Sequence, residues 1–280
     1  MMTDGEVSAR DGAVSASVAP ALNIAGQSTI RDLLALQSVA PERSFIGRLF
    51  GVNPLGVGSR SMYRAAIGEI EVGAALDSLG EGWTVLHSVP VGEGGAYIDH
   101  LVIGPGGVYI VNTTVHSGGQ VWASQRTFMV GDIRYPFIRN MEYEMGRVER
   151  LLSTAAGRPV EVSGILAVVD PKALVVREAH RDVAVLQASG VSRWIRGRAR
   201  VMLPGDVEAI AEAALVASTW HEPVPVADDP VSLRARFEAL HTQVTRAWNV
   251  QKIWATVATA LAAGGFILVT YTILINALTP

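Results

Sequence analysis

Tyr97-Ile98-Asp99-His100-Leu101-Val102-Ile103-Gly104-Pro105-Gly106-Gly107-Val108-Tyr109-Ile110-Val111-Asn112-Thr113-Thr114 is the stretch whose reading decides the fold. Two apolar runs rich in β-branched and aromatic residues flank Gly-Pro-Gly-Gly, which predicts two antiparallel strands joined by a tight turn. Centring that hairpin on Pro105-Gly106 sets His100 opposite Val111 and Asp99 opposite Asn112. Side chains alternate along a strand, so Thr114 shares the face of Asn112. Polar groups gathered on one face of an otherwise apolar strand pair point to a site.

Upstream, Ala66, Ile67, Ile70, Val72, Ala75, Leu76 and Leu79 recur at helical spacing, and Gly80-Glu81-Gly82 ends the helix. Glu69 lies on this helix, where it can lean over Asp99. Trp83-Thr84-Val85-Leu86-His87-Ser88-Val89 reads as a first strand, followed by a glycine turn into the hairpin. Downstream, Phe128-Met129-Val130 and the residues around Tyr135 add an edge, and residues 139–152 form a helix. Residues 162–169 and 183–186 read as strands, and residues 191–197 and 206–219 as helices. Helices and strands interleaved in this order predict an α/β domain, one mixed central sheet flanked by helices, over residues 63–220.

Ala66-Ile67-Gly68-Glu69, Trp83-Thr84-Val85-Leu86-His87, the Asp99-His100 strand with its Gly-Pro-Gly-Gly turn and following strand to Asn112, and the later Arg139-Asn140 helix resemble the nuclease-related domain, NERD. The resemblance covers roughly residues 60–170. It implies a restriction-endonuclease-like fold of the PD-(D/E)xK superfamily. In that pattern Glu69 matches the helix glutamate, Asp99 the metal-binding aspartate, Asn112 the second acidic position and Thr114 the catalytic lysine. Such a site uses two carboxylates to hold Mg²⁺, which polarises the phosphate and the attacking water, and a lysine to offset developing charge. Asn112 keeps an oxygen ligand without the charge, and Thr114 can neither be a cation nor take up a proton at neutral pH. The residues therefore predict a degenerate site, with Asp99 and Glu69 as the ligands of any Mg²⁺ it retains. The chain then acts as a binding or scaffold module. The alternatives are a metal-dependent nuclease with an unorthodox base and a structural membrane protein.

Two histidines are candidate substitutes for the missing base. His116 follows Thr114 on the same face if the strand continues, while His100 points to the opposite face and reads as structural. Glu142 or Glu144 on the next helix is a possible source of a carboxylate.

Outside the domain, residues 1–40 are small and without period, and predict a disordered tail. Residues 41–62 read as a short amphipathic helix and a glycine-rich link. Asp228-Asp229-Pro230 starts a juxtamembrane helix over 228–252, with Leu233, Phe237, Leu240 and Val244 at helical spacing. From Ile253 to Pro280 no side chain is charged, and residues 253–277 are enough to cross ~30 Å of hydrocarbon. Arg234, Arg236, Arg246 and Lys252 precede the span, which predicts a single-pass membrane protein whose N-terminal domain faces the cytoplasm. Gly264-Gly265 could let a second copy approach, giving a homo-oligomer through this helix.

A net charge of −3 leaves no global attraction for nucleic acid, so such binding must be local. Arg193, Trp194, Arg196, Arg198 and Arg200 form the candidate patch for nucleic acid or anionic lipid. The chain has no cysteine, which excludes thiol catalysis and Cys-ligated zinc. Phosphate-binding loops and the serine-hydrolase and zinc-protease signatures are absent, so no cofactor beyond Mg²⁺ is implied.

Overall fold

The computed structural model describes residues 23–91, 96–220 and 229–278. The expected tail over residues 1–22, the glycine turn at 92–95 and Asp228 lie outside the described residues. The helix expected upstream of the hairpin is α3 (Ser59–Asp77). Strands β1 (Thr84–Pro90), β2 (Tyr97–Gly104) and β3 (Gly107–Val115) follow it as an antiparallel meander. The predicted register holds: His100 pairs with Val111 and Gly104 with Gly107, around a turn in which Gly107 adopts φ 130°. β7 (Val162–Val169) and β9 (Val183–Gln187) then add in parallel, giving a sheet ordered β1-β2-β3-β7-β9.

Alternation divides this sheet into two faces. One carries Leu101, Ile103, Ile110, Leu166 and Val168 against Met141, Met145 and Val148 of α4 (Phe137–Ala156). The other carries Val102, Tyr109, Val111, Ile165 and Ala167 against Val72 and Leu76 of α3. The short α5 (Val191–Arg196) closes that second face, and α6 (Pro204–Leu215) packs beside α4. Gly68 is where α3 comes closest to the sheet, since a Cβ there would stand 2.6 Å from Val115 Cγ2 and 3.3 Å from Thr113 Cγ2. Gly68→Ala is expected to cost about 1–3 kcal/mol, as overpacking in a tight core does. Thermal unfolding reads this directly, and an unchanged midpoint would show that α3 can lift without penalty.

Two features depart from the sequence expectation. A second, four-stranded sheet ordered β6-β5-β4-β8 stands beside the first. It comprises β4 (Gln120–Ser124), β5 (Thr127–Val130), β6 (Ile133–Tyr135) and β8 (Ala173–Val176). The edge expected at Phe128 and Tyr135 thus belongs to its own sheet. The amide of His116 donates to the Val169 carbonyl, tying the end of β3 to that of β7 where the second sheet begins.

The second departure corrects the expected tail. Residues 27–38 form helix α1 (Gln27–Ser38), whose Ile30, Leu33 and Leu34 are buried. They pack against Ala66 of α3 and against Leu233, Phe237 and Leu240 of α7 (Pro230–Leu278). Each such side chain contributes about 1.5–3 kcal/mol on burial, which orders a segment whose small residues alone would not hold a helix. The expected short helix is α2 (Phe45–Leu49), started by Ser44, whose hydroxyl accepts from the Gly47 amide at 3.0 Å.

α7 runs unbroken for 49 residues, about 70 Å at the usual helical rise. Asp229 caps it, its carboxylate accepting from the amides of Val231 and Ser232 at 3.3 and 3.1 Å. Its first part belongs to the domain through Leu233, Phe237 and Leu240. Its uncharged remainder leaves Leu261, Phe266 and Ile267 exposed, and the helix is long and apolar enough to cross a membrane.

Candidate functional site

The site lies where β2 and β3 part. Their ladder stops at His100–Val111, although β2 extends back to Tyr97 and β3 forward to Val115. On the β1 side, Ser88 adopts φ 45° opposite this point and interrupts the β1–β2 pairing between His87–His100 and Val89–Ile98. Asp99 fills the gap. Its carboxylate Oδ2 accepts from the amide of Thr113 at 2.6 Å, while its own amide donates to Asn112 Oδ1 at 3.3 Å. The two side chains expected to face each other are thus joined through the backbone of the opened ladder.

Helices on both faces bring further carboxylates to this gap. Asn112 Nδ2 donates to Glu144 Oε2 of α4 at 2.5 Å. From α3, Glu69 is 5% exposed, and its Oε1 accepts from the Thr29 hydroxyl of α1 at 2.6 Å. Its Oε2 is buried without a partner among the described residues. The pocket carries the electrostatic consequence. Burial raises the Glu69 carboxyl from 4.5 to about 7, against the opposing bond from Thr29. Burial, then the charges of Glu69 and Glu144, hold Asp99 well above the usual carboxylate range, against the bond from the Thr113 amide. Glu144 is raised by its own burial, with the Asn112 bond opposing.

Thr114 and His116 form a separate pair. Thr114 Oγ1 lies 2.8 Å from His116 Nε2, and the imidazole packs among Phe128, Tyr135 and Phe137 at 5.7–6.1 Å between ring centroids. Burial is what lowers the His116 pKa; a carboxylate within reach would raise it. His116 therefore has its bond to Thr114 and an aromatic wall, and is not brought onto Asp99 or Glu69. The chain's two lysines, Lys172 and Lys252, sit in the turn after β7 and in α7, so no ammonium stands on β3.

His100 points to the α3 face, as alternation requires. It is fully buried, with Nδ1 2.9 Å from His87 Nδ1, while His87 Nε2 lies 3.1 Å from Asp77. Burial and then His87 hold it well below the usual histidine range, which makes it a neutral, structural group. Glu142 is turned away from the gap and meets His180 Nε2 at 3.0 Å and Arg126 at 3.6 Å.

Mg²⁺ would need several oxygens converging on one point. Among the described residues no group of three His, Asp or Glu side chains is so disposed. Asp99 Oδ2 is engaged by the Thr113 amide, and Asn112 Oδ1 by the Asp99 amide. The arrangement as it stands does not fit the cation. What it can do is hold a proton on the buried Glu69 carboxyl near neutral pH, beside an Asp99 carboxyl shifted in the same direction and a hydrogen-bonded cluster under α1.

Thr29 is the site residue that the sequence does not mark as such, while of the two candidate carboxylates on α4 it is Glu144, not Glu142, that reaches Asn112. Thr29 precedes the Ile30, Leu33, Leu34 spacing that marks α1. Glu144 falls beside Met141, Met145 and Val148, on the buried stripe of α4.

The arginine patch lies at the other end of β3. Trp194 is half-buried, edge-on to Tyr109 at 6.0 Å, with the Arg198 guanidinium 4.6 Å over its ring. Arg196 is bonded to Ser78. One face of the indole is thereby already taken by a cation. Arg193, Arg198 and Arg200 stay exposed, and Arg198 borders a cavity of about 630 Å³ with Tyr109, His180 and Asp182.

No curated protein and no solved structure gives a match to this chain. The family model of the nuclease-related domain matches residues 64–169, from the first turns of α3 through the parted strands and α4 to the end of β7. With the Glu69 helix, the Asp99 gap and the Asn112–Thr114 strand all inside that match, the chain carries a nuclease-related domain.

Proposed function

We propose that the protein is a membrane-anchored, cytoplasm-facing nuclease-related domain whose hydrolytic site has degenerated and which acts as a binding or scaffold module. The observation that carries this reading is the charge balance of the gap. Glu69, Asp99 and Glu144 crowd together with no ammonium beside them, and Asn112 and Thr114 stand where a second ligand and a general base would be needed. Hydroxide generation has no acceptor poised for it, since the His116 imidazole is committed to Thr114 and His100 is buried against His87. The uncharged run of α7 supports anchoring, and Arg234, Arg236, Arg246 and Lys252 ahead of it support a cytoplasmic domain.

With Mg²⁺ or Mn²⁺, the wild-type protein is expected to cleave single- or double-stranded DNA and RNA no faster than Asp99→Ala. Cleavage abolished by Asp99→Ala overturns the reading. One observation favours the alternative of a metal-dependent nuclease: Glu144 is hydrogen-bonded to Asn112 and supplies from α4 the carboxylate that β3 lacks. That enzyme would lose activity in Glu144→Gln as well as in Asp99→Ala. In the scaffold reading neither substitution changes any turnover.

A further inference from the structure

α2 (Phe45–Leu49) is too short to bury itself, and none of its residues is buried. Phe45, Ile46, Leu49 and Phe50 are 80, 65, 50 and 50% exposed, an apolar patch left uncovered among the described residues. Its position is nevertheless fixed. Gly51, at φ 71°, lies against α7 so closely that a Cβ would stand 2.5 Å from the Ala247 carbonyl and 2.8 Å from the Gln251 amide. Trp254 Nε1 donates to the Leu49 carbonyl at 2.9 Å, and the Phe50 and Trp254 rings lie 5.1 Å apart. The uncharged run of α7 begins at Ile253. The patch is therefore held beside the first turn of the segment able to enter a membrane.

Charge completes the picture. Directly behind α2 lies a cavity of about 600 Å³ whose lining includes Arg43, Arg48, Arg246 and Glu42. Arg43 is locked there, donating to the Val52 carbonyl at 3.1 Å and to Gln243 at 3.3 Å. Glu42 meets Arg48 at only 4.0 Å, so one carboxylate faces three guanidinium groups. Burial, and then the charge of Arg48, lower the Arg43 pKa. On the same turn of α7, Lys252 Nζ sits 3.3 Å over the Trp248 ring, an arrangement suited to the bilayer interface.

We propose that α2 is an interfacial foot, seated in the headgroup layer of an anionic bilayer beside the α7 span, with lipid phosphate held by Arg43, Arg48 and Arg246. The inference rests on the anchoring reading of α7. An apolar helix face flanked by arginines binds an interface through both buried area and attraction to anionic lipid. Guanidinium forks suit phosphate oxygens. A foot and a span joined at Gly51 hold the domain at one height and tilt, which a single helix through a linker does not.

The absence of cysteine allows nitroxide labels at single introduced cysteines in the full chain. Ile46→Cys, Leu49→Cys, Phe266→Cys and Ile133→Cys are reconstituted in vesicles of phosphatidylcholine with and without phosphatidylglycerol. The labels are then tested for collision with oxygen and with a water-soluble nickel chelate. The foot predicts that labels at 46 and 49 behave like that at 266, oxygen-accessible and shielded from nickel, while that at 133 stays nickel-accessible. Shielding at 46 and 49 is expected to increase with phosphatidylglycerol, and Arg48→Gln with Arg246→Gln to abolish that increase, Arg43 being left to hold the loop. Nickel access at 46 and 49 with 266 shielded overturns the foot while the span stands. Nickel access at 266 overturns the span and the foot with it. Shielding indifferent to phosphatidylglycerol and to both arginines, or lost on adding inorganic phosphate to phosphatidylcholine vesicles, overturns the lipid-phosphate site.

Discussion

Glu69→Gln is expected to stabilise the protein by about 3 kcal/mol at pH 8 and to leave it unchanged at pH 4. The Glu69 carboxyl is raised from 4.5 to about 7 in the folded chain, mainly by burial. Below 4.5 it is protonated whether the chain is folded or not, and the group contributes no pH dependence. Between 4.5 and about 7 the unfolded chain ionises first, so folding takes up a proton and stability falls as pH rises. The loss is about 1.4 kcal/mol per pH unit and levels off above the folded value. Asp99 is also raised, so its contribution falls in the same direction. Gln keeps an acceptor for the Thr29 hydroxyl and carries no charge to desolvate. In melting followed by tryptophan fluorescence in detergent, the variant should gain roughly 6–12 °C at pH 8, given the usual size of the transition entropy. Equal melting of wild type and variant at both pH values would mean that the Glu69 charge is neutralised by a bound cation or partner. The unmade site would then be a made one.

This pH dependence arises from the burial of Glu69 beside α1, which the sequence does not show, and the reason is physical. Asp99, Asn112 and their register were legible because Gly-Pro-Gly-Gly is local: the turn alone sets which residues face each other. Glu69 was legible as a helix residue near that pair. Thr29 was not, because α1 becomes a helix only by burying Ile30, Leu33 and Leu34 against α3 and, some two hundred residues away, Phe237 of α7. The second sheet escaped for a related reason. β4 and β8, of five and four residues, pair in parallel across β5, β6, α4 and β7, and neither is long enough to announce itself alone. His116 was expected on the face of Thr114 if the strand continued; it falls one residue past the end of β3, and its surroundings were not legible because Phe128, Tyr135 and Phe137 come from that sheet and the start of α4. Long uncharged helices need no partner to be read, which is why α7 was plain. Its union with α2 through Gly51 depends on a backbone approach that leaves no mark in composition.

Asn112→Asp tests whether the charge missing from β3 is tolerable without a cation. Asn112 donates to Glu144 at 2.5 Å and accepts from the Asp99 amide at 3.3 Å. Aspartate keeps the second bond and turns the first into a contact of two carboxylates, beside an Asp99 already opposed by Glu69 and Glu144. At pH 8 the expected loss is about 3–5 kcal/mol, the scale of leaving a buried charge uncompensated. At pH 5 the loss should shrink, because two carboxyls at this distance share a proton, as acid pairs in enzymes do. Asn112→Asp with Glu144→Gln restores a donor across the contact and should recover most of the stability at pH 8. Urea midpoints at the two pH values separate these cases, and a variant as stable as wild type at pH 8 would show that water reaches the gap and screens it. Adding Mn²⁺ makes the comparison functional. Recovery of Asn112→Asp by Mn²⁺, with wild type indifferent to it, would place the pocket one charge from binding metal and support degeneration at position 112. Stabilisation of the wild type by Mn²⁺, lost in Asp99→Ala, would instead mean that Glu144 already serves in place of the absent aspartate, and the nuclease reading would stand over the scaffold.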